Sequence, residues 1–218
     1  MFRDRKDAGH LLAELVSSRL ADPAGSASAA GCIVLGLPRG GVPVAALVAD
    51  ALGVPLDVLV VRKIGVPWQP ELALGAVGEH GAVVLNDEVV AASGVGPDEL
   101  DALIRKASQE VDDVVAELRP ATHPLDVTGR MAIVVDDGVA TGATARAAAS
   151  VLRGAGAGPV ILAVPVAALS TSQSLRSCFD EVICLSMPMR FGSVGQHYEH
   201  FEQVGITQVR GLLGGSSA

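Results

Sequence analysis

Two adjacent carboxylates, Asp136 and Asp137, stand between the apolar run Ile133-Val134-Val135 and the small-residue stretch Gly138-Val139-Ala140-Thr141-Gly142-Ala143-Thr144. Three β-branched apolar residues in a row read as a buried parallel strand. Beyond the small residues, Ala145 to Arg153 is rich in strong helix formers. A strand, a short loop and a helix start make a place for an anion, because N–H groups of the loop and first turn point at it and the helix dipole favours negative charge. Gly138 and Gly142 permit close backbone approach, and Thr141 and Thr144 add hydroxyl donors. The carboxylates do not bind phosphate. They suit sugar hydroxyls, which donate to ionised Asp, or a magnesium-bound water. A phosphate cradle beside a diol clamp fits a ribose phosphate. The stretch is not a Walker A loop, since no Gly-Lys-Ser or Gly-Lys-Thr follows, and it lacks the Gly-x-Gly-x-x-Gly order of a dinucleotide fingerprint. Gly154-Ala155-Gly156-Ala157-Gly158 follows a helix and precedes a strand, which is the context of a helix-ending loop.

These residues need a scaffold. Cys32 to Leu37 reads as a short buried strand ending in Pro38-Arg39-Gly40-Gly41, with a helix onward to about Leu52. Leu56 to Val61 reads as a second buried strand ending in Arg62-Lys63, and Met131 to Val135 as a third. Val160 to Val166 and Glu181 to Leu185 are further strands, with a helix near Ser170 to Cys178 between them. Asp4 to Leu20 is expected to be an amphipathic helix burying Leu11, Leu12, Leu15, Val16 and Leu20. Pro97 to Leu118 is expected to be a charged amphipathic helix with proline in its first turn. Ala21 to Ser28 is a loop by composition, as is the turn-rich stretch Ile64 to Leu72, which holds the single tryptophan. Ala73 to Val77 and Ala82 to Leu85 suggest a hairpin around Gly78-Glu79-His80-Gly81. Short apolar strands alternating with helices predict an open, mostly parallel sheet with helices on both faces. Ligands of such sheets bind beyond the carboxyl ends of the strands. Pro38 to Gly41, Arg62-Lys63 and Asp136-Asp137 are therefore expected on one edge, although Arg62-Lys63 also fits a solvated strand end.

The 218 residues suffice for one α/β domain, and no repeat or domain boundary is visible. Aromatic residues are only 3% of the chain, so the core is aliphatic. A net charge of −8 argues against a nucleic-acid partner, whose phosphates need a basic face. Cys32, Cys178 and Cys184 are an odd, widely spaced set in apolar surroundings and read as reduced thiols of a cytoplasmic protein. No signal peptide is visible, and the most apolar run, Val160 to Leu169, is too short to span a bilayer.

The string from Val134 to Thr144 resembles the phosphoribosyl-pyrophosphate-binding motif of type I phosphoribosyltransferases, and the resemblance covers most of the chain. Pro38-Arg39-Gly40-Gly41 is similar to that family's pyrophosphate loop. The tail from Phe191 to Tyr198 is similar to that of a bacterial branch whose members often lack an assigned acceptor. The resemblance implies one domain over residues 1–218, with a small hood from the N-terminal segment and residues 187–213. It implies that Gly138, Val139, Ala140, Thr141, Gly142, Ala143 and Thr144 hold the 5-phosphate, and that Asp136 and Asp137 hold the ribose 2- and 3-hydroxyls. Pro38, Arg39, Gly40 and Gly41 would hold the pyrophosphate, with a cis peptide between Pro38 and Arg39. Asp136, Asp137, Arg39 and Lys63 are the residues expected to carry the chemistry, and Phe191 and Tyr198 are candidates for the acceptor pocket. Magnesium would ride on the pyrophosphate, the sugar hydroxyls and water, with no direct protein ligand.

The implied activity is magnesium-dependent transfer of phosphoribosyl to a nitrogen acceptor, a nucleobase for instance, with release of pyrophosphate. The expected partners are phosphoribosyl pyrophosphate and a small-molecule acceptor, with no nucleic acid and no membrane. The long helix is either scaffold or a contact in a homo-oligomer. One position departs from the hypoxanthine-type pattern: the residue before the Thr-Gly pair is Ala140, not an aspartate base. A 6-oxopurine acceptor is correspondingly disfavoured. Glu71 is either a solvated loop residue or a replacement acid or base, and Ile64 to Leu72 is the candidate for a closing loop. His197 and His200 are either a metal pair or two exposed histidines. The rival reading is a non-catalytic regulator that keeps the ligand loop. A sugar-phosphate hydrolase lacks an identifiable activating residue.

Overall fold

A computed structural model describes residues 1–21, 31–119 and 126–215. The loop expected over Ala21 to Ser28 falls, beyond its first residue, outside the described residues. In chain order the elements are α1 (Arg5–Leu20), β1 (Cys32–Gly36), α2 (Gly41–Leu52), β2 (Leu56–Val58), β3 (Val61–Val66), β4 (Gln69–Gly78), β5 (Val83–Leu85), α3 (Asp87–Ser93), α4 (Pro97–Leu118), β6 (Met131–Val135), α5 (Ala143–Gly154), β7 (Val160–Val166), α6 (Leu169–Leu175), β8 (Glu181–Ser186) and α7 (Ile206–Gly215). Among the described residues no helix is long and apolar enough to cross a membrane.

The main sheet runs β2-β1-β6-β7-β8, every pair parallel, as the sequence pattern predicts. Its strands bury both faces, so alternate residues enter two cores. Ile33, Leu35, Ala132, Val134, Leu162 and Val164 meet the alanine-rich face of α5. Val34, Ile133, Val135, Ile161 and Ala163 meet α1 and α2. Helix α1 begins at the N-cap Asp4, whose carboxylate accepts from the Asp7 N–H at 2.8 Å. It buries Leu12 and Val16 as expected, but Leu11 is exposed. A third core joins β3 and β4 to α4 through Ile64, Val66, Leu74, Ala107 and Val111, which makes α4 scaffold for the smaller sheet.

That smaller sheet corrects the expectation for residues 56–72. The run read as one strand is two. Leu56–Val58 joins the parallel sheet, and Val61–Val66 starts an antiparallel sheet of order β3-β4-β5. Arg62-Lys63 therefore lies within β3 and not at the end of a parallel strand. Ile64 to Leu72 is not an irregular loop but the tip of the β3–β4 hairpin, with Trp68 exposed. Gly65 and Pro70, which read as loop residues, face each other where the register shifts. A side chain on Gly65 would come within 2.9 Å of the Pro70 carbonyl, so the glycine marks a bulge and not a break.

The N-terminal and C-terminal segments pack against each other. Phe2 N–H donates to the His197 carbonyl at 2.8 Å, and Glu199 and His200 N–H groups return bonds of 2.9 Å to the Phe2 and Arg3 carbonyls.

Candidate active site

The sheet order places the switch point between β1 and β6. The chain leaves β1 toward β2 on one side and β6 toward β7 on the other, so the loops after β1 and β6 diverge and leave a crevice. Gly36 pairs with Val135, and the Leu37 N–H donates to the Val135 carbonyl at 2.8 Å. This register sets Pro38-Arg39-Gly40-Gly41 directly against Asp136 and Asp137. The contact is close enough to demand glycine. A Cβ on Gly40 would lie 2.0 Å from Oδ2 of Asp137, and one on Gly41 would lie 2.8 Å from Cα of Asp136. The Pro38–Arg39 peptide is cis, as the family resemblance implied. Arg39 is exposed at the mouth.

The two carboxylates are each half used. Oδ1 of Asp136 accepts the Asp137 N–H at 2.9 Å. Oδ2 of Asp137 accepts Nε of Arg5 at 2.8 Å, with Nη2 of Arg5 2.7 Å away. No N–H or O–H of another described residue reaches Oδ2 of Asp136 or Oδ1 of Asp137, and the two carboxyl groups lie within hydrogen-bonding reach of each other. Burial and the neighbouring Asp137 charge push Asp136 well above the usual carboxylate range. Burial also raises Asp137, against the pull of Arg5. Two carboxylates this close share charge poorly, and the proton is held more firmly by Asp136, the one without an arginine.

The loop between β6 and α5 is held from outside. The Ala140 carbonyl accepts from Oγ1 of Thr171 at 2.7 Å, and the Thr141 carbonyl from Nη2 of Arg146 at 2.6 Å. In a planar trans peptide the N–H points opposite its carbonyl. The Thr141 and Gly142 N–H groups are thus turned away from those side chains, and they donate to no described residue. Gly142 caps α5 with φ +76°, a conformation that suits glycine. The arrangement leaves unpaired donors at a helix N-terminus, a geometry that suits an anion.

The other expected site residues fall elsewhere. Lys63, half-buried on β3, lines a cavity of about 230 Å³ with Asn86, Thr141, Ala143 and Arg146. It thus meets the start of α5, not a strand end. Tyr198 is buried, its ring covered by Phe2 and Phe201 at centroid distances of 5.4 and 5.0 Å, so it presents no open stacking face. Its hydroxyl instead donates to the Asp137 carbonyl at 2.5 Å, and burial keeps that phenol protonated. Phe191 stacks on His197 at 5.0 Å. Among the described residues no group of three or more His, Cys, Asp or Glu side chains could hold a metal. Arg5, Thr171 and Arg146 were not anticipated from sequence. Arg5 and Thr171 reach the site from 132 and 31 positions away, Arg146 stands only five residues past Thr141 on α5, and nothing in the local pattern of any of them distinguishes it from a surface residue.

A parallel sheet with two glycine loops and an acid pair at its switch point defines an α/β domain with a crevice beyond its strand ends. Comparison with known proteins narrows the class. The family described as the phosphoribosyl transferase domain matches residues 6–199, and the chain belongs to that family. The crystal structure of TT1426 from Thermus thermophilus superposes with a TM-score of 0.86 and 38% identity, over 100% of this chain and 99% of that one. Two Mycobacterium tuberculosis proteins, of strains CDC 1551 / Oshkosh and H37Rv, are each named "Putative phosphoribosyl transferase". Both are 48% identical over 213 residues, 98% of this chain and 46% of theirs. The chain thus spans about half the length of the curated relatives it matches. The AQ2163 protein from Aquifex aeolicus shares the fold at 12% identity, with a TM-score of 0.53, over 88% of this chain and 78% of that one.

Proposed function

We propose that the protein is a cytoplasmic, magnesium-dependent phosphoribosyltransferase that moves phosphoribosyl from phosphoribosyl pyrophosphate to a nitrogen acceptor, such as a nucleobase. The observation that supports this best is the packing of Gly40 and Gly41 onto Asp137 and Asp136. It brings the glycine loop and the acid pair to one crevice, which supports their reading as pyrophosphate loop and diol clamp, with the unpaired N–H groups of Thr141 and Gly142 beside them. A ligand that fits all three has phosphate at one end, a vicinal diol in the middle and a diphosphate at the other.

In this reading Oδ2 of Asp136 and Oδ1 of Asp137 each accept one ribose hydroxyl. The 5-phosphate sits on the residues from Gly138 to Thr144. Arg39 and the glycine N–H groups take the diphosphate. Two acids with one outward oxygen each are too few to enclose a magnesium ion, so they fit an ion held mainly by ligand oxygens and water. When bound there, magnesium would offset the charge of the departing pyrophosphate. The C1–O bond breaks, positive charge develops on the ribose ring, and the acceptor nitrogen closes on C1. The chain supplies alignment through the two clamps and negative potential from Asp137 beside the ring. Lys63, at the α5 end, is assigned to the 5-phosphate side of the site instead of the leaving group. Ala140 offers no side-chain base, so the acceptor must bring a nitrogen that needs little help with its proton.

The test is to incubate the protein with phosphoribosyl pyrophosphate, magnesium and a panel of nucleobases and other amines. Pyrophosphate release that depends on one acceptor is the expected result. Tight binding of phosphoribosyl pyrophosphate with no release across the panel would make the protein a regulator and defeat the catalytic reading.

A further inference from the structure

Arg5 is the first residue of α1, and it is 132 positions from Asp137 in sequence. Its guanidinium is nonetheless held on every side. Nε and Nη2 both reach Oδ2 of Asp137, with only 13% of either side chain exposed. Nη1 donates to the Glu202 carbonyl at 2.6 Å, and Cζ lies 3.9 Å from the centre of the Phe201 ring. Oδ2 of Asp137 is thereby enclosed between Arg5 and the Gly40 backbone, while the Tyr198 hydroxyl fixes the Asp137 carbonyl.

We infer that Arg5 is a positioning residue of the sugar site: by saturating Oδ2 of Asp137 it aims Oδ1 at the ligand, so hydroxyl recognition requires α1 to be docked on the C-terminal segment. The inference rests on the assignment of Asp137 to a ribose hydroxyl. Its physical basis is twofold. The terminal torsion of an aspartate is broad and nearly two-fold, so a carboxylate without a fixed partner samples many planes. A buried carboxylate next to another one also tends to protonate unless a cation faces it, and a protonated acid loses acceptor capacity. Arg5 counters both losses: it fixes the carboxylate plane and pulls against the burial that favours the proton. Linkage then makes the effect reciprocal: if docking of α1 favours the ligand, the ligand favours docking by the same factor.

The experiment is titration calorimetry of phosphoribosyl pyrophosphate with magnesium on the full chain, with melting temperatures recorded for each variant. Arg5→Met is expected to weaken binding by about tenfold or more, as truncating one partner of a buried charge pair does. Arg5→Gln, which keeps polarity without charge, should weaken it to a similar degree. Arg5→Lys should recover most of the loss. Phe201→Leu disturbs the same packing without touching Asp137 and should stay within about threefold of wild type. Hydrogen exchange in wild type should slow in the first turn of α1 and near Tyr198 when the ligand binds. If Arg5→Met and Arg5→Gln bind like wild type while Asp137→Asn does not, the role of Arg5 is overturned and the sugar site stands. If Asp137→Asn also binds like wild type, the sugar site itself is wrong. Weakening by Phe201→Leu as large as that by Arg5→Gln would overturn the inference too, because a loosened C-terminal segment would then explain both. Should Arg5→Met fail to fold, Arg5→Gln against Phe201→Leu decides.

Discussion

In two regions of the molecule an arginine stands at a pair of carboxylates, and the arrangements differ. At the junction of the two sheets, Arg119 at the end of α4 lies between Asp57 of β2 and Glu79 after β4. Its Nε is 3.2 Å from Oδ1 of Asp57, and its Nη2 donates to Oε2 of Glu79. The acids are used on the backbone as well: Oδ1 of Asp57 accepts the Val58 N–H, and Oε1 of Glu79 accepts the Val60 N–H. At the crevice, Arg5 meets only one acid, and each acid keeps an oxygen that no N–H or O–H of another described residue reaches. The first set is a staple between β2, the small sheet and α4. The second is an unfinished network, which a sugar diol would complete if the proposed function holds. The staple commits both acids to one arginine and to backbone N–H groups, whereas the crevice sets two acids side by side with an arginine on one of them.

The sharpest way to break this contrast is to remove the central arginine of the staple. Arg119→Met leaves two buried carboxylates without their cation, a defect of about 3–5 kcal/mol. In a chain of this size that lowers the melting temperature by about 10 °C or more. Urea denaturation checks it, and phosphoribosyl pyrophosphate binding well below the melting temperature should be kept. Removal of an acid at the crevice should do the reverse. Asp137→Asn loses a charged acceptor worth roughly 1.5–3 kcal/mol to a bound hydroxyl, about ten- to hundredfold in Kd, with the fold intact. Equal melting losses for the two variants would erase the distinction. Gly40→Ala should fall between them. Its methyl would displace Oδ2 of Asp137, with an expected cost of about tenfold in ligand affinity and a few degrees in melting temperature.

How much of this is legible in the sequence follows from the range of each interaction. The parallel strands and α5 are readable because burial on both faces forces continuous apolar runs, and Asp136 to Thr144 can be placed at a strand end from its neighbours alone. The second sheet is not, because Leu56 to Val61 is one apolar run whether it forms one strand or turns a corner at Leu59-Val60. Only the pairing partner decides, and β4 lies beyond a turn rich in glycine and proline. Helix α3 and the C-terminal helix α7 escape the sequence pattern for a related reason, being short or weakly amphipathic and formed by packing on larger elements. Arg5 and Arg119 are illegible for a simpler one. A charged residue reads as solvated until the fold carries an acid to it, as it does for Arg5 from 132 positions away. Tyr198 reads as a stacking surface because an aromatic near a site looks the same whether its ring or its hydroxyl is used.

The smallest expected effect tests the unfinished network most directly, since it concerns stability without any ligand. Asp136 has a folded-state pKa well above its ordinary value of 3.8. The folded protein therefore binds this proton more tightly than the unfolded chain does. By linkage, stability is greatest below the unfolded value and falls as pH rises through the folded one. At neutral pH Asp136 therefore leaves the fold less stable than it is at low pH. Asp136→Asn is nearly isosteric, and its side-chain oxygen can still accept the Asp137 N–H while the charge is removed. It should raise the melting temperature at pH 7.5 by about 2–4 °C, corresponding to roughly 1 kcal/mol. The gain should vanish on lowering the pH toward about 4, near the ordinary carboxylate value, where the wild-type acid is protonated anyway. The same variant should bind phosphoribosyl pyrophosphate less well, because the amide offers one acceptor where the carboxylate offered two. Thermal melts across that pH range, with and without ligand, measure both. A variant that is less stable at neutral pH would mean that Asp136 is satisfied within the protein, and the difference between the crevice and the Arg119 staple would disappear.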